Sequence, residues 1–284
     1  MNSVKSPFPK KSKKNISFFQ GMKSLIIIFL LSVSLLIGTM IHYGLDPSIL
    51  ASLAFYEALA NPSVRIIRVQ EGLRKEQIAE LMADKLGWTD IQKVEFENAH
   101  LALNRNDLEG HYFPKTYIIS KDENPVQVST TMFHEFSKQT KNISKSKTQQ
   151  IINQDTALTI ASIIQREAAG KSDMNLISGI IWNRIFKGMK LQLDATLQYA
   201  KGSEEDGWWK VVKSKDKNID SPYNTYTNLG LPPTAISNPG LAAIEAAYKP
   251  EKTSCLFYLH DKNRNIHCSK TYEGHVRNIE RYLK

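Results

Sequence analysis

The sequence predicts an α+β protein carried on a single N-terminal transmembrane helix. Three observations lead to this prediction. A long uncharged apolar run lies near the start of the chain, later segments place apolar residues at helical spacing, and a few short segments are rich in β-branched residues. With 284 residues, the chain is long enough for an anchor and one or two small folded units.

A basic tail and an apolar run make up the first 45 residues. Residues 1–23 contain six lysines and no acidic residue, and residues 24–45 contain no Asp, Glu, Lys or Arg. Because about 20 residues of helix cross the hydrocarbon core of a bilayer, we predict a transmembrane helix over residues 24–45. A cleaved signal peptide is the alternative, but its apolar region would be shorter and would end in a small-x-small cleavage site, which does not follow this run.

The distribution of charge predicts how the chain is oriented across the membrane. Lysines precede the apolar run and few follow it, so we expect a single-pass protein of the cell (inner) membrane with a cytoplasmic N-terminus. Residues 46–284 would then lie in the extracytoplasmic or periplasmic space. Outside residues 1–23 the chain has 31 basic and 28 acidic residues, a net charge of only +3 compared with +9 for the whole chain. Since no recognition motif is present either, nucleic acid is not an expected partner.

The part after the apolar run divides into three predicted segments: a connector over residues 46–63, a small unit over residues 64–107 and a main domain over residues 108–284. The small unit is predicted to contain one strand and two helices: residues 64–70, 75–86 and 90–103. Gly87 fits the C-cap of the first of these helices.

The main domain is predicted to be mixed α/β. Its predicted strands are one segment within residues 108–120 and a hairpin: residues 255–260 and 266–270. Its predicted helices are residues 124–138, 156–169, 174–187, 239–248 and 272–283. We expect Asp155 and Asp173 to cap the second and third of these helices, and Asn238 to cap the fourth.

The chain has two cysteines, Cys255 and Cys268. The outside compartment permits a disulfide. If the hairpin turn centres on Asn263, however, the two cysteines are offset by about three positions and do not face each other, so we expect free thiols. No Cys/His pattern with zinc spacing is present, and no metal or cofactor is expected.

Glu167 is the candidate for acid/base chemistry. It follows Ile160, Ile163 and Ile164 at helical spacing and therefore lies on the apolar face of the helix 156–169. Burial on that face raises the pKa of a carboxyl group, and a carboxylic acid that stays protonated near neutral pH can act as a general acid. The alternative is an acid in the last helical turn that reaches solvent or pairs with a nearby Arg.

Several segments, in order along the chain, resemble the MltG (YceG-like) endolytic murein transglycosylases. The segments that carry the resemblance are LEGHYFPKTY (108–117), ASIIQREAAG (161–170), IIWNRIFKGMKLQLDATLQYA (180–200), SPYNTYTNLGLPPTAISNPGLAAIEAAYKP (221–250) and CSKTYEGHVRNIERY (268–282). The resemblance implies a LysM-like subdomain, a glycan-binding type of module, over residues 64–107. It also implies a transglycosylase catalytic domain over residues 108–284.

The resemblance also implies the catalytic residue. The family's catalytic glutamate lies in a segment reading roughly A-S-I-V-E-K-E, which aligns with residues 161–167. The first Glu of that pattern is Gln165 here, so Glu167 alone can carry the role. Two departures from the family pattern are Lys115 in place of an aspartate and Ala195 in place of a proline.

Five further residues lie in or near the family-like motifs and are predicted to bind substrate: Glu109, Gln192, Asp194, Asn224 and Tyr226. Each has a structural alternative. Glu109 could open a turn, Asp194 could cap the helix that follows it, and Asn224 and Tyr226 could serve turn chemistry and core packing. The role of Trp208 and Trp209 stays open between local packing and stacking on sugar rings.

The implied activity is endolytic cleavage of MurNAc–GlcNAc bonds in nascent peptidoglycan strands, which leaves 1,6-anhydroMurNAc ends and ends strand elongation. Expected partners are peptidoglycan glycan strands, the membrane and peptidoglycan synthases. Two alternatives remain. One is a non-catalytic glycan-binding membrane anchor for the cell-wall synthesis machinery. The other is a hydrolase, which would need a second carboxylate near Glu167, and Asp194 is the candidate.

Overall fold

The computed structural model describes residues 27–35, 38–39, 42, 56, 60–143 and 152–284. The chain divides into two compact units, Met1–Glu57 and Ala58–Lys284. In the first unit, residues 27–35 are helical. Within the described ranges, no helix is both long enough and apolar enough to cross a bilayer. The predicted span over residues 24–45 lies only partly inside these ranges, and the basic tail and most of the connector lie outside them.

In its described residues, the second unit mixes helices with two small sheets, which confirms the predicted α+β composition. Its strands are β1 (Val64–Arg68), β2 (Thr116–Ser120), β3 (Phe257–His260) and β4 (Ile266–Ser269). Its helices are α1 (Lys75–Leu86), α2 (Asp90–Glu97), α3 (Ala99–Ala102), α4 (Pro125–Thr140), α5 (Gln154–Glu167), α6 (Met174–Phe186), α7 (Asp194–Lys201), α8 (Leu241–Tyr248) and α9 (Tyr272–Tyr282), with a 3₁₀ turn at Ser214–Asn218.

Both sheets are antiparallel pairs. β1 pairs with β2, with Val64 opposite Ser120, and β3 pairs with β4, with Phe257 opposite Ser269. The pairing of β1 with β2 joins the start of the second unit to a strand that follows residue 108. The hydrophobic core around this sheet likewise contains residues on both sides of residue 108, from Ile67 to Met132. The division into subdomains at residue 108 stays a prediction.

The second core surrounds α5. Ile160, Ile163 and Ile164 have no exposed surface, which confirms that the apolar stripe of this helix faces inward. Helix α8 packs along α5, and the hydroxyl of Ser162 on α5 accepts a hydrogen bond from the backbone N–H of Ile236 at 3.0 Å. The segment that precedes α8 is thereby fixed to the middle of α5.

Asn238 joins the two cores. Its side-chain oxygen accepts from the N–H of Tyr112 at 2.8 Å, and its amide nitrogen donates to the carbonyl of Leu73 at 3.0 Å and to Glu109 Oε1 at 2.8 Å. Its own N–H donates to the carbonyl of Leu73 at 2.7 Å. Asn238 has no exposed surface, so these bonds are shielded from water and hold the second unit together at the junction.

Several predicted helix starts, ends and caps differ from the structure, and Asp173, at the N-cap of α6, forms no side-chain cap bond. α5 is capped by Asn153, whose side chain accepts from the N–H of Thr156 at 2.7 Å, and not by Asp155. α8 begins at Leu241 with Gly240 as N-cap, because the side chain of Asn238 is used at the junction. The predicted helix 90–103 is interrupted at Asn98 and divides into α2 and α3.

The prediction of free thiols was wrong: Cys255 and Cys268 form a disulfide, with Cα atoms 5.8 Å apart. The predicted register was right, since His260 lies opposite Ile266 around a turn centred on Asn263. The ladder, however, ends at Phe257. Cys255 precedes it and is therefore not held at the position that sheet geometry would assign.

We expect the disulfide to stabilise the hairpin. It closes a loop with a sequence separation of 13 residues, and a loop of that length contributes about 2–3 kcal/mol to the free energy of unfolding. Chemical denaturation of the oxidised and the reduced protein measures this difference. Equal unfolding free energies in the two states would contradict the expectation.

Candidate active site

Glu167 is the last residue of α5 and is only partly exposed. Its Oε2 accepts a hydrogen bond from the hydroxyl of Tyr258 on β3 at 2.8 Å. Its Oε1 accepts from the backbone N–H of Ala195 at 3.2 Å. The carboxyl group therefore lies where the end of α5, the start of α7 and the β3–β4 hairpin meet.

The environment of Glu167 raises the pKa of its carboxyl group above 4.5. The largest cause is burial, which disfavours the charged form, and the negative charge of Asp194 acts in the same direction. The hydrogen bonds from Tyr258 and Ala195 oppose this shift but do not cancel it. The acid is thus shifted toward the protonated form that a proton donor needs.

Helix α7 presents its first turn to Glu167. The N–H of Ala195 is one of the donors that the first turn of a helix leaves without an intrahelical partner. The turn before α7 is held by two bonds to Thr225, one from the N–H of Gln192 to its carbonyl and one from the N–H of Leu193 to its hydroxyl, both 3.0 Å long. Gln192 has a φ of 50°, and its side chain is exposed.

Asp194 and Tyr226 lie beside Glu167. The hydroxyl of Tyr226 donates to Asp194 Oδ1 at 2.6 Å. Asp194 is exposed, and its charge contributes to the raised pKa of Glu167, so the two carboxyl groups are close enough to interact. The structure therefore brings together Glu167, Asp194 and Tyr226, with Gln192 on the same turn.

The side chain of Asn224 forms its hydrogen bonds inside the protein. Its amide nitrogen donates to the carbonyls of Lys217 and Ile219 at 3.1 and 2.8 Å, and its oxygen accepts from the N–H of Tyr226 at 2.9 Å. It has no exposed surface. These contacts favour the turn interpretation of Asn224, which fixes the backbone that carries Tyr226.

Glu109 lies at the junction of the two cores and forms no hydrogen bond with Glu167. It accepts from the N–H of Lys75 at 3.1 Å, from the hydroxyl of Tyr199 at 3.4 Å and from Asn238. It also borders a polar cavity of about 550 Å³ beside the N-terminal half of α5. Glu167 is not among the residues that line that cavity.

Burial raises the pKa of Glu109 from 4.5 to about 8. In the folded protein Glu109 therefore holds a proton that the unfolded chain loses above pH 4.5. The contribution of Glu109 to the free energy of unfolding is expected to fall by a few kcal/mol as the pH rises from about 4.5 to about 8, and to stay constant above that. Glu109→Gln should flatten this slope in urea unfolding measured across the range. An unchanged slope would contradict the assignment.

Sequence reasoning missed two residues of the site. Tyr258 lies on a predicted strand, but nothing in a local pattern shows that this strand packs against a helix end 91 residues away. Arg184 is buried and donates from Nε to the carbonyl of Leu256 at 2.6 Å and from a terminal nitrogen to the carbonyl of Leu191. It thus links the approach to β3 with the approach to α7, and it lay within the segment 180–200 that resembles the family.

Trp208 and Trp209 contact helix α1. Their indole N–H groups donate to Glu80 at 3.0 Å and to Gln77 at 2.8 Å. The guanidinium of Arg166 lies 3.7 Å from the ring centre of Trp209. These contacts favour local packing for the tryptophan pair. In the described parts of the chain, no group of three or more His, Cys, Asp or Glu side chains is arranged to hold a metal ion.

Comparisons with known proteins give consistent matches. A sequence model of the YceG-like family matches residues 42–281. The endolytic murein transglycosylase of Bacillus subtilis (strain 168) is 32% identical over 237 residues, which cover 76% of this chain and 65% of that protein. The endolytic murein transglycosylase of Streptococcus pneumoniae serotype 2 (strain D39 / NCTC 7466) is 30% identical over 181 residues, which cover 63% of this chain and 33% of that protein.

A solved structure is also similar. The crystal structure of a yceG-like protein from Listeria monocytogenes has a TM-score of 0.68 and 29% identity, with 76% of each chain covered. The present chain therefore has the fold of that protein over most of its length. It spans less than two thirds of the length of the curated relatives that it matches.

Proposed function

This chain belongs to the YceG-like family, and on that premise we propose that it is an endolytic murein (peptidoglycan) lytic transglycosylase. The observation that carries the proposal is the position of Glu167. Its carboxyl group is desolvated, its pKa is raised, and it is oriented by Tyr258 and by the first turn of α7. A single carboxyl group of this kind can serve first as an acid and then as a base.

The reaction needs one such group because the substrate supplies the nucleophile. Glu167 donates its proton to the glycosidic oxygen as the bond from C1 of N-acetylmuramic acid breaks. The resulting carboxylate then takes the proton of the C6 hydroxyl of the same sugar, and this oxygen bonds to C1. The products are a 1,6-anhydroMurNAc end and a free hydroxyl on the departing sugar. Glu167 ends protonated, and no water is consumed.

Gln192, Asp194 and Tyr226 are proposed to bind the sugars next to the scissile bond. Gln192 and Asp194 are exposed on the turn that leads into α7, and the Tyr226 hydroxyl is held on Asp194. Carboxylate, amide and phenol groups close to one another suit the hydroxyl and acetamido groups of an amino sugar. Glu109 and Asn224 are instead proposed to stabilise the fold of this region through their buried hydrogen bonds.

The substrate is proposed to be nascent glycan strands at the outer face of the cell membrane. The basic tail and the apolar run 24–45 support a single-pass anchor with the second unit outside the cytoplasm. Residues 64–107 would contribute glycan contacts as a LysM-like module. Peptidoglycan synthases are the proposed partners because they make the strands that such an enzyme would terminate.

A hydrolase is the second candidate, and one observation favours it. Asp194 lies close enough to Glu167 to affect the pKa of the Glu167 carboxyl group. Hydrolytic glycosidases use two nearby carboxyl groups. The hydrogen bond from Tyr226 occupies one oxygen of Asp194, which argues against Asp194 as the base that activates water.

Cleavage in ¹⁸O-labelled water tests the proposal. The full-length chain is incubated with uncrosslinked peptidoglycan, and the new chain ends are identified by mass spectrometry. Anhydro ends without label are the expected result. Labelled reducing ends would replace the proposal by the hydrolase. Binding of glycan without any cleavage would replace it by the non-catalytic anchor.

A further inference from the structure

The carboxylate of Asp173 bonds to residues that follow both partners of the Glu167–Tyr258 hydrogen bond. Asp173 Oδ2 accepts from the N–H of Ala169 at 2.9 Å, two residues after Glu167. The same oxygen lies 2.7 Å from Nε2 of His260, two residues after Tyr258 on β3. Asp173 is buried, with 4% of its surface exposed.

The direction of the His260 contact follows from the state of Asp173. Burial opposes ionisation of Asp173, but the hydrogen bonds from Ala169, His260 and Gly170 outweigh it and lower the pKa of the carboxyl group. An ionised carboxylate can only accept, so Nε2 of His260 carries the hydrogen and donates it. Gly170 adds a second backbone bond to Asp173 at 3.2 Å.

Strand geometry makes this contact relevant to Glu167. Residues two apart on a strand point to the same face, so Tyr258 and His260 extend from β3 in the same direction. Tyr258 reaches Glu167, and His260 reaches the carboxylate that holds the chain just beyond Glu167. Arg264, in the hairpin turn, adds a bond to the carbonyl of Ala169. The contacts form a closed circuit through Glu167, Ala169, Asp173, His260 and Tyr258.

We propose that His260 and Asp173 are positioning residues that hold the Tyr258 hydroxyl and the Glu167 carboxyl group in register for proton transfer. Neither residue needs to touch the substrate. Loss of the His260 donor frees β3 to move relative to the end of α5, which lengthens the Glu167–Tyr258 bond and turns the carboxyl group. A displacement on the order of 1 Å at an acid can lower turnover by up to about a hundredfold.

The inference rests on the proposed function, since its main readout is turnover by Glu167. His260→Phe keeps a ring of similar size but removes the donor, and His260→Gln restores a donor near the position of Nε2. The hairpin offers a matched control in His267 on β4, whose Nε2 lies 3.0 Å from Asp261 Oδ2 and whose side chain forms no hydrogen bond with residues 168–173. His267→Phe therefore removes a His–Asp pair from the same hairpin without opening the circuit.

Steady-state cleavage by the full-length chain and these variants tests the inference, with thermal unfolding measured in parallel. We expect His260→Phe to lower kcat about tenfold or more with KM within about twofold, and His260→Gln to recover most of the loss. His267→Phe should keep the kcat of the intact chain. In a Tyr258→Phe background, His260→Phe should lower kcat by a much smaller factor, because both residues act through the Glu167–Tyr258 hydrogen bond.

Equal losses of kcat in His260→Phe and His267→Phe would overturn the inference, as would a loss confined to KM or no recovery in His260→Gln. A loss of kcat that only tracks a lower unfolding temperature in both Phe variants would also overturn it. Failure of the proposed function is recognised separately, because the intact chain would then show no cleavage, or Glu167→Gln would retain it.

Discussion

Glu167→Gln is expected to lower kcat for peptidoglycan cleavage by about a thousandfold or more. Glutamine keeps the size of the side chain: its oxygen can accept from the N–H of Ala195 while its NH2 group donates to the hydroxyl of Tyr258, but it has no acidic proton to give. General acid catalysis typically contributes about 10²–10⁴ in rate, and here one group is assigned both proton transfers. The measurement is the rate of new chain ends under saturating substrate.

The matched control is Glu245→Gln on α8. Glu245 is an exposed acid on the helix that packs along α5, so the substitution makes the same chemical change without touching the site. The Glu245→Gln variant should cleave peptidoglycan at the rate of the intact chain. Cleavage by Glu167→Gln within tenfold of the intact chain would assign the acid to another residue, and Asp194 would be the first to examine.

Asn238→Ala is expected to cost about 3 kcal/mol or more of unfolding free energy. The substitution leaves the N–H of Tyr112 and Oε1 of Glu109 without their partner in a region shielded from water. A buried polar group that loses its partner costs about 1–3 kcal/mol, and two are affected. For a domain of this size the unfolding temperature should fall by several degrees or more.

Urea unfolding of Asn238→Ala at a fixed pH measures this cost, since the charge of Glu109 varies with pH. Asn228→Ala is the control, because Asn228 is exposed and its bonds to the carbonyls of Ser221 and Asn224 can be replaced by water. It should change the unfolding free energy by less than about 0.5 kcal/mol. Equal costs in the two variants would show that the junction between the cores contributes little.

Helices with a strong local signal could be predicted from the sequence. The helix 75–86 has the predicted bounds, and Gly87 ends it with a φ of 77°, because its cap and its apolar spacing are both local. Helix starts were less predictable where two polar residues compete. Asn153 and Asp155 both suit a cap, and only the packed structure shows that Asn153 fills it.

Contacts between distant segments could not be predicted in the same way. The position of Glu167 on the inward face of α5 follows from helical spacing, but its hydrogen bond to Tyr258 depends on how the hairpin packs on α5. The disulfide illustrates the same limit. The hairpin register was correctly predicted, yet the path of Cys255 before β3 depends on packing and decides that the two sulfur atoms meet.

The central claim is that Glu167 supplies the proton, and the pH dependence of kcat/KM in the intact chain and in Tyr258→Phe tests it most directly. This ratio reports ionisations of the free enzyme. The Tyr258 hydroxyl stabilises the charged carboxylate and so lowers the pKa of Glu167, while burial raises it. Removing the hydroxyl should raise that pKa further, and the alkaline limb of the profile should move to higher pH. An alkaline limb that stays in place would show that the essential acid is a group other than Glu167.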